Sequence, residues 1–310
     1  MADRLSVLAY RLGWRLVRTL PELLAYALFA LIADLAWWRR GPGILQLEAN
    51  LARAVPTADA AALRRLSRRG MRSYLRYWCD AFRMPGWSRE RTVASVRVDD
   101  VDLLRATFGA GTGVVVALAH QGNWDHAGAW STLELAKVTT VAERLRPEAV
   151  FDEFVAFRER LGLEILPLTG GGNVLGTLIK RVKAGGFVPL LADRDLTDTG
   201  VTVTLLGEPA RMAAGPAVLA LAARAPLMPV SIYYERLPRR AVARWGIVLR
   251  LHPPVAVPDR SGGRPAQISA MMQACADALG AGLVEHPEDW HMLQRVFEAD
   301  LRPAPVLVRK

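Results

Sequence analysis

The chain predicts an α/β fold, a mostly parallel central sheet flanked by helices, preceded by a helical N-terminal region. Three observations point there. From about residue 97 short β-branched runs alternate with longer helical segments, the pattern of strand–helix–strand crossovers. The run Val114–Ala119 is apolar throughout and bounded upstream by Gly109, Gly111 and Gly113, the composition of a buried strand. A chain of 310 residues with 52% hydrophobic residues has ample material for one large core. The expected division is residues 1–96, helical, and residues 97–310, the α/β core, within one domain overall.

The elements follow in order. Arg4, Arg11, Arg15 and Arg18 fall within roughly 60° of one helix face at about 100° per residue, with leucine, valine, tyrosine and tryptophan filling much of the rest. The run Leu23–Ala33 is apolar but lies between Glu22 and Asp34. Eleven residues are too few to cross a hydrocarbon layer of about 30 Å, and no small-residue cleavage site follows. A basic stripe beside Trp14, Trp37 and Trp38 suits a helix lying in the headgroup layer. Residues 41–87 read as helical and carry Arg64, Arg65, Arg68, Arg69, Arg72 and Arg76 among Tyr74, Tyr77 and Trp78.

In the second region the strand at Val114 leads to a helix from Trp124, with Asn123 as its N-cap. A strand at Lys137–Glu143 leads to a helix at Glu148–Leu161. A strand at Leu163–Leu168 leads to a helix at Asn173–Lys183. Then come strands at Phe187–Asp193 and Val201–Leu205 and a helix from about Ala213 to Arg224. Strands at Leu227–Tyr234 and Trp245–His252 and a helix at Gln267–Glu285 complete the series. Pro253, Pro254 and Pro258 mark turns.

Charge narrows the function class. The net charge of +10 favours anionic partners such as a lipid surface or a phosphorylated ligand. No helix-turn-helix, zinc-finger or RNA-binding signature accompanies the arginines, so nucleic acid is not expected. Cys79 and Cys275 are far apart and form no C-x-x-C pair. The histidine pairs 120/126 and 286/291 lack the four-residue spacing that puts two metal ligands on one helix face, and no metal is expected. There is no G-x-S-x-G elbow. The glycines before Val114 precede a strand, whereas a dinucleotide fingerprint follows one. Gly170-Gly171-Gly172 opens a helix but lacks the Lys-Ser/Thr of a P-loop.

The stretch that carries chemistry is Val114–Asp125. His120 sits where a buried strand ends, and Asp125 falls in the first turn of the next helix. Ligands of α/β sheets bind at such strand ends, and an imidazole oriented by a carboxylate is a general base. Glu143 and Asp193 also lie at or near strand ends and are expected in the same cleft. Arg158 and Arg194 are candidates to neutralise an anionic ligand. His126 is expected to be structural.

These residues resemble the bacterial lysophospholipid-acyltransferase superfamily, in the branch of the lipid A late acyltransferases, and within it the actinobacterial phosphatidylinositol mannoside acyltransferases. The H-x4-D motif matches His120 and Asp125. Glu143–Pro147, Phe157–Gly162, Ala192–Asp195 with Gly200 and Leu205–Glu208, and His286–Gln294 match later blocks in order. The last reads Trp-His-Met-Leu-Gln where the lipid A enzymes usually carry tryptophan and paired arginines, which favours the mannoside branch.

The resemblance implies a glycerol-phosphate-acyltransferase-like core. It implies transfer of a long acyl chain such as palmitoyl from acyl-CoA to a mannose hydroxyl of phosphatidylinositol mannoside. It also implies a peripheral position on the cytoplasmic face of the cell membrane, against its anionic inner leaflet. Glu143, Arg158, Asp193 and Arg194 then become substrate-binding candidates, and acyl-CoA is a substrate with no cofactor needed. Acyl-transfer chemistry makes His120 the general base, oriented by Asp125, in direct transfer without an acyl-enzyme. Backbone N–H groups near Gly122 are the expected oxyanion donors. Alternatives are a lipid A-type or lysophospholipid acceptor, an acyl-CoA thioesterase, or a non-catalytic membrane-binding protein.

Overall fold

The computed structural model describes residues 17–301 apart from 110, 112, 144–147, 169–171, 196–198 and 239–240. Arg4, Arg11, Arg15, Gly170, Gly171 and the Arg144–Pro147 block lie outside the described residues. The N-terminal region contributes α1 (Glu22–Trp38), α2 (Pro42–Ala54), α3 (Ala60–Arg83) and α4 (Arg89–Ala94). α3 starts where Asp59 accepts the Ala62 N–H at 2.6 Å, an N-cap. Helix α1 buries Ala25, Phe29 and Ala33 and leaves Leu23, Leu24, Leu28, Leu31, Ile32, Leu35 and Trp38 exposed. No described helix is long and apolar enough to cross a membrane. Of the arginine stripe, Arg18 is described, and its Nε donates to the Phe82 carbonyl at 3.0 Å.

The core comprises β1 (Val96–Asp99), α5 (Val101–Gly109), β2 (Val114–Leu118), α6 (Trp124–Glu134), β3 (Thr139–Ala142), α7 (Glu148–Arg160) and β4 (Glu164–Pro167). It continues with α8 (Val174–Lys183), β5 (Phe187–Leu191), β6 (Val201–Leu205), β7 (Glu208–Met212) and α9 (Gly215–Ala223). β8 (Leu227–Arg236), β9 (Trp245–Leu251), α10 (Gly263–Glu285), a 3-10 turn at Pro287–Asp289 and α11 (Glu298–Leu301) end it. The expected alternation is present from β2 onward. Asn123 caps α6 as expected, accepting the His126 N–H at 3.0 Å.

Five strands form the central sheet in the order β1-β9-β8-β2-β5. The pairs β1–β9, β8–β2 and β2–β5 are parallel, and β8–β9 is antiparallel. Three of the four pairings are thus parallel, as expected, and the β8–β9 pair makes the sheet mixed. Residues 237–244, which join β8 to β9, are too few for a crossover helix, so the two strands must run in opposite directions. The short pair β3–β4 is parallel and touches the β5 edge through a Val138–Phe187 bridge. β7 was not foreseen in the sequence, where Pro209 and two charged residues hide it. It closes a hairpin on β6 through Leu206 and Gly207, both at positive φ as a two-residue hairpin turn requires.

β2 explains its own composition. It is flanked by β8 and β5 and buried at every position. Val115 and Ala117 face a core with Val188, Leu190, Leu219 and Met272. Val114, Val116 and Leu118 face the opposite core with Phe187, Met228, Val230 and Ile232. Each valine, leucine, isoleucine, methionine or phenylalanine among them contributes about 1.5–3 kcal/mol on burial. β2 and β5 run side by side, so their C-terminal ends open at one edge of the sheet.

Candidate active site

Strand register assembles the centre of the site. Leu118 on β2 lies opposite Leu191 on β5. Two residues beyond each, His120 and Asp193 meet. The His120 ring Nδ1 is 2.7 Å from Asp193 Oδ1, and the His120 backbone N–H donates to Oδ2 at 2.9 Å. A carboxylate can only accept there, so Nδ1 carries the proton and Nε2 is left bare. The His120 side chain is 25% exposed and lines a cavity of about 940 Å³, large among small-molecule sites. Asp193 is buried, and burial pushes its carboxyl up. The electrostatic pull and hydrogen bonds of the neighbouring His120 and the indole of Trp290 outweigh that and hold it below its usual value.

Asp125 does not take the place expected for it. Its carboxylate, 2% exposed, accepts from Arg158 Nε at 2.7 Å, Arg158 Nη2 at 3.3 Å and the Tyr77 hydroxyl at 2.7 Å. The partner of the His120 ring is Asp193 instead. A guanidinium offering two hydrogen bonds is a stronger partner for a buried carboxylate than a neutral imidazole. Burial lowers the Arg158 pKa, but the charge of Asp125 reverses this and raises it. Burial and the same carboxylate raise the Tyr77 pKa well above its ordinary value. Asp125 thus knits α6 to α3 and α7 beneath the cavity it helps to line.

The remaining expected residues are all near. Glu143 follows β3 and Arg194 follows Asp193; they pair at 3.2 Å and line the cavity, with the Glu143 side chain 50% exposed. Arg158 lines it too. His126 points away, as expected, with Nε2 3.0 Å from the Thr92 carbonyl, and burial lowers it to about 4. Three of the N–H groups around Gly122, the expected oxyanion donors, are already engaged. The N–H groups of His120, Gln121 and Gly122 are bonded to Asp193, Ala119 and Asp289 respectively. Gly122 has φ +63°, and a Cβ there would meet the Ile232 carbonyl oxygen at 2.5 Å, so this turn needs glycine. Most arginines interleaved with aromatics on α3 are engaged internally. Arg64 pairs with Glu48, Arg68 and Arg72 with Asp34, and Arg76 lies over the Trp245 ring.

Sequence reasoning did not find Tyr77, Trp290 or His291 as parts of the site. Tyr77 stacks on Trp124 at 4.2 Å, and Trp124 meets His120 edge-on at 5.6 Å. His291 lines the cavity, and burial lowers it to about 3, so it is neutral. Trp290 is fully buried and donates Nε1–H to Asp193 Oδ2 at 2.9 Å. Chain spacing holds no signal for these contacts, since each joins segments far apart in sequence.

From the polar centre the cavity continues along apolar walls. One flank is formed by Trp78, Phe151, Phe154 and Leu163, the other by Leu178, Leu190, Leu219 and Ile268. Among the described residues no group of three or more His, Cys, Asp or Glu is disposed to hold a metal ion. The arrangement provides a basic nitrogen held in one tautomer at the edge of an apolar chamber, suited to taking a proton from a hydroxyl on an amphipathic ligand.

The family model described as bacterial lipid A biosynthesis acyltransferase matches residues 2–299. The chain is similar to the phosphatidylinositol mannoside acyltransferase of Mycolicibacterium smegmatis, 41% identical over 302 residues, covering 97% of this chain and 94% of that protein. It is similar to the protein of the same name from Mycobacterium tuberculosis, 39% identical over 296 residues, covering 94% of this chain and 89% of that protein.

Proposed function

Because the chain belongs to the bacterial lipid A biosynthesis acyltransferase family, we propose that it transfers a long acyl chain, palmitoyl for example, from acyl-CoA to a mannose hydroxyl of a phosphatidylinositol mannoside. The observation that carries this reading is the His120–Asp193 pair at the head of an apolar cavity. His120 Nε2 accepts the proton of the acceptor hydroxyl as its oxygen attacks the thioester carbonyl. Asp193 holds Nδ1 protonated and stabilises the imidazolium. The tetrahedral intermediate collapses, the C–S bond breaks, and the departing thiolate takes the proton back from His120. Atoms balance without an acyl-enzyme, a metal or an organic cofactor; acyl-CoA is a substrate. The apolar walls take the acyl chain, and Glu143, Arg158 and Arg194 face the polar acceptor. The name shared by the two relatives favours the mannoside over a lipid A precursor or a lysophospholipid.

The same reading places the protein peripherally on the anionic inner leaflet. Leu23, Leu24, Leu28, Leu31, Ile32, Leu35 and Trp38 form an exposed apolar face on α1, and the net charge is +10. Such a face suits insertion at the headgroup boundary. The deciding experiment incubates purified protein and His120→Ala with labelled palmitoyl-CoA and a panel of mannosylated phosphatidylinositol, lipid A precursor and lysophospholipid. Label entering the mannoside, and lost in the variant, is the expected result. Label appearing only as free palmitate supports a thioesterase. Undiminished transfer by His120→Ala overturns the general-base mechanism.

A further inference from the structure

The segment from the 3-10 turn after α10 to His291 grips the His120–Gly122 turn at two points and Asp193 at a third. The Gly122 N–H donates to the Asp289 carbonyl at 2.9 Å, and the His291 N–H to the His120 carbonyl at 2.7 Å. Between them, Trp290 Nε1–H donates to Asp193 Oδ2 at 2.9 Å. The segment is itself fixed from below. The Asp289 carboxylate accepts the Tyr234 N–H at 2.8 Å and the Ser73 hydroxyl, and His291 Nε2 lies 3.0 Å from the same hydroxyl.

Trp290 is fully buried and does not line the cavity, so it does not touch a ligand there. Its polar reach ends on one atom, the Asp193 oxygen that does not face the His120 ring. That division matters. Oδ1 serves the imidazole, whereas Oδ2 takes the His120 backbone N–H and the indole N–H. Two donors on Oδ2 fix the carboxylate against rotation about its Cβ–Cγ bond and aim Oδ1 along the ring nitrogen. They also draw negative charge toward Oδ2, which tempers how strongly Oδ1 stabilises a protonated ring.

We propose that Trp290 is a positioning residue for acyl transfer, setting the geometry and basicity of the His120–Asp193 pair through its indole N–H. This rests on His120 being the general base. The test replaces only the donor. Trp290→Phe keeps an aromatic ring beside Phe297, and benzothienylalanine at position 290 keeps the bicyclic shape with sulfur in place of N–H. Both are measured as purified full-length protein with palmitoyl-CoA and mannosylated phosphatidylinositol, with His120→Ala alongside.

The expected result for both is a kcat lowered ten- to a hundredfold, the size of one hydrogen bond to a charged group, with KM for either substrate within twofold. The acid limb of the kcat–pH profile moves upward, because a carboxylate relieved of one donor stabilises the imidazolium more strongly. If the benzothienylalanine protein keeps wild-type kcat and pH profile, the indole acts by packing alone and the proposal is wrong. That holds even where Trp290→Phe is impaired or unfolded. If His120→Ala keeps its activity, the general-base reading itself fails, a result distinct from failure of Trp290.

Discussion

Replacing Asp193 with asparagine tests the site most sharply, because the structure dictates which way the amide must face. Oδ2 of Asp193 accepts two N–H groups, from the His120 backbone and from Trp290. In Asp193→Asn that position must stay an oxygen, since an NH₂ there would confront two donors. The amide nitrogen therefore falls where Oδ1 was, 2.7 Å from His120 Nδ1, and donates to it. Nδ1 becomes the acceptor, the ring proton moves to Nε2, and the nitrogen facing the cavity is no longer basic. In the serine-protease triad the equivalent exchange costs about 10⁴ in kcat. The expected loss here is about 10³–10⁴, roughly 4–5.5 kcal/mol in the barrier, with KM little changed. The assay is single-turnover transfer of labelled palmitate to the mannosylated lipid near neutral pH. Asp125→Asn is the necessary contrast. It loses part of a buried ion pair with Arg158 and is expected to cost stability of about 3 kcal/mol, seen as a fall in Tm of roughly 5–10 °C. A kcat for Asp193→Asn within tenfold of wild type, beside a thousandfold loss for a well-folded Asp125→Asn, would refute the assignment of the orienting carboxylate.

Three further outcomes are expected. His126 is lowered by burial from 6.5 to about 4, so its contribution to stability is present above pH 6.5 and is lost as pH falls toward 4. That loss reaches about 3 kcal/mol, and urea titrations at stepped pH should show His126→Gln with a shallower decline over the same window. A Cβ added at Gly215, in the cavity wall, would have Leu190 Cδ1 at 3.9 Å as its nearest neighbour, so a side chain can start there, and Gly215→Val should narrow the cavity. If acyl chains lie there, preference moves from palmitoyl toward lauroyl donors, at about 0.8 kcal/mol per methylene left out of the cavity; an unchanged chain-length profile would place the chain elsewhere. Leu28→Glu/Leu31→Glu on the exposed face of α1 should reduce sedimentation with phosphatidylglycerol-rich vesicles at least tenfold. Unaltered binding would remove α1 as the docking face.

Much of this protein is legible in its residues one segment at a time. The uninterrupted apolar run of β2 marks a strand buried on both faces, and Asn123 marks the start of α6. His120 marks a strand end, and the alternation from β2 onward gives the α/β class. These features are local: burial, capping and strand termination depend on neighbours within a few positions. The chain also carries its family in the order of its motifs. What it does not carry is which groups meet. The short β8–β9 connection encodes the antiparallel pair, yet the alternation around it reads as parallel. The spacing of His120 and Asp125 suggests a dyad, yet Asp125 turns beneath the cavity to Arg158 and Tyr77, and the carboxylate on the imidazole comes from Asp193, 73 residues later. That partnership is set by the register of β2 on β5. Trp290, 97 residues beyond Asp193, reaches it only because α10 carries the chain back across the sheet. Hydrogen bonds reach about 3 Å whatever the separation along the chain. The sequence therefore determined most of the elements and set His120 at a strand end, and the tertiary structure alone decided which carboxylate its ring meets.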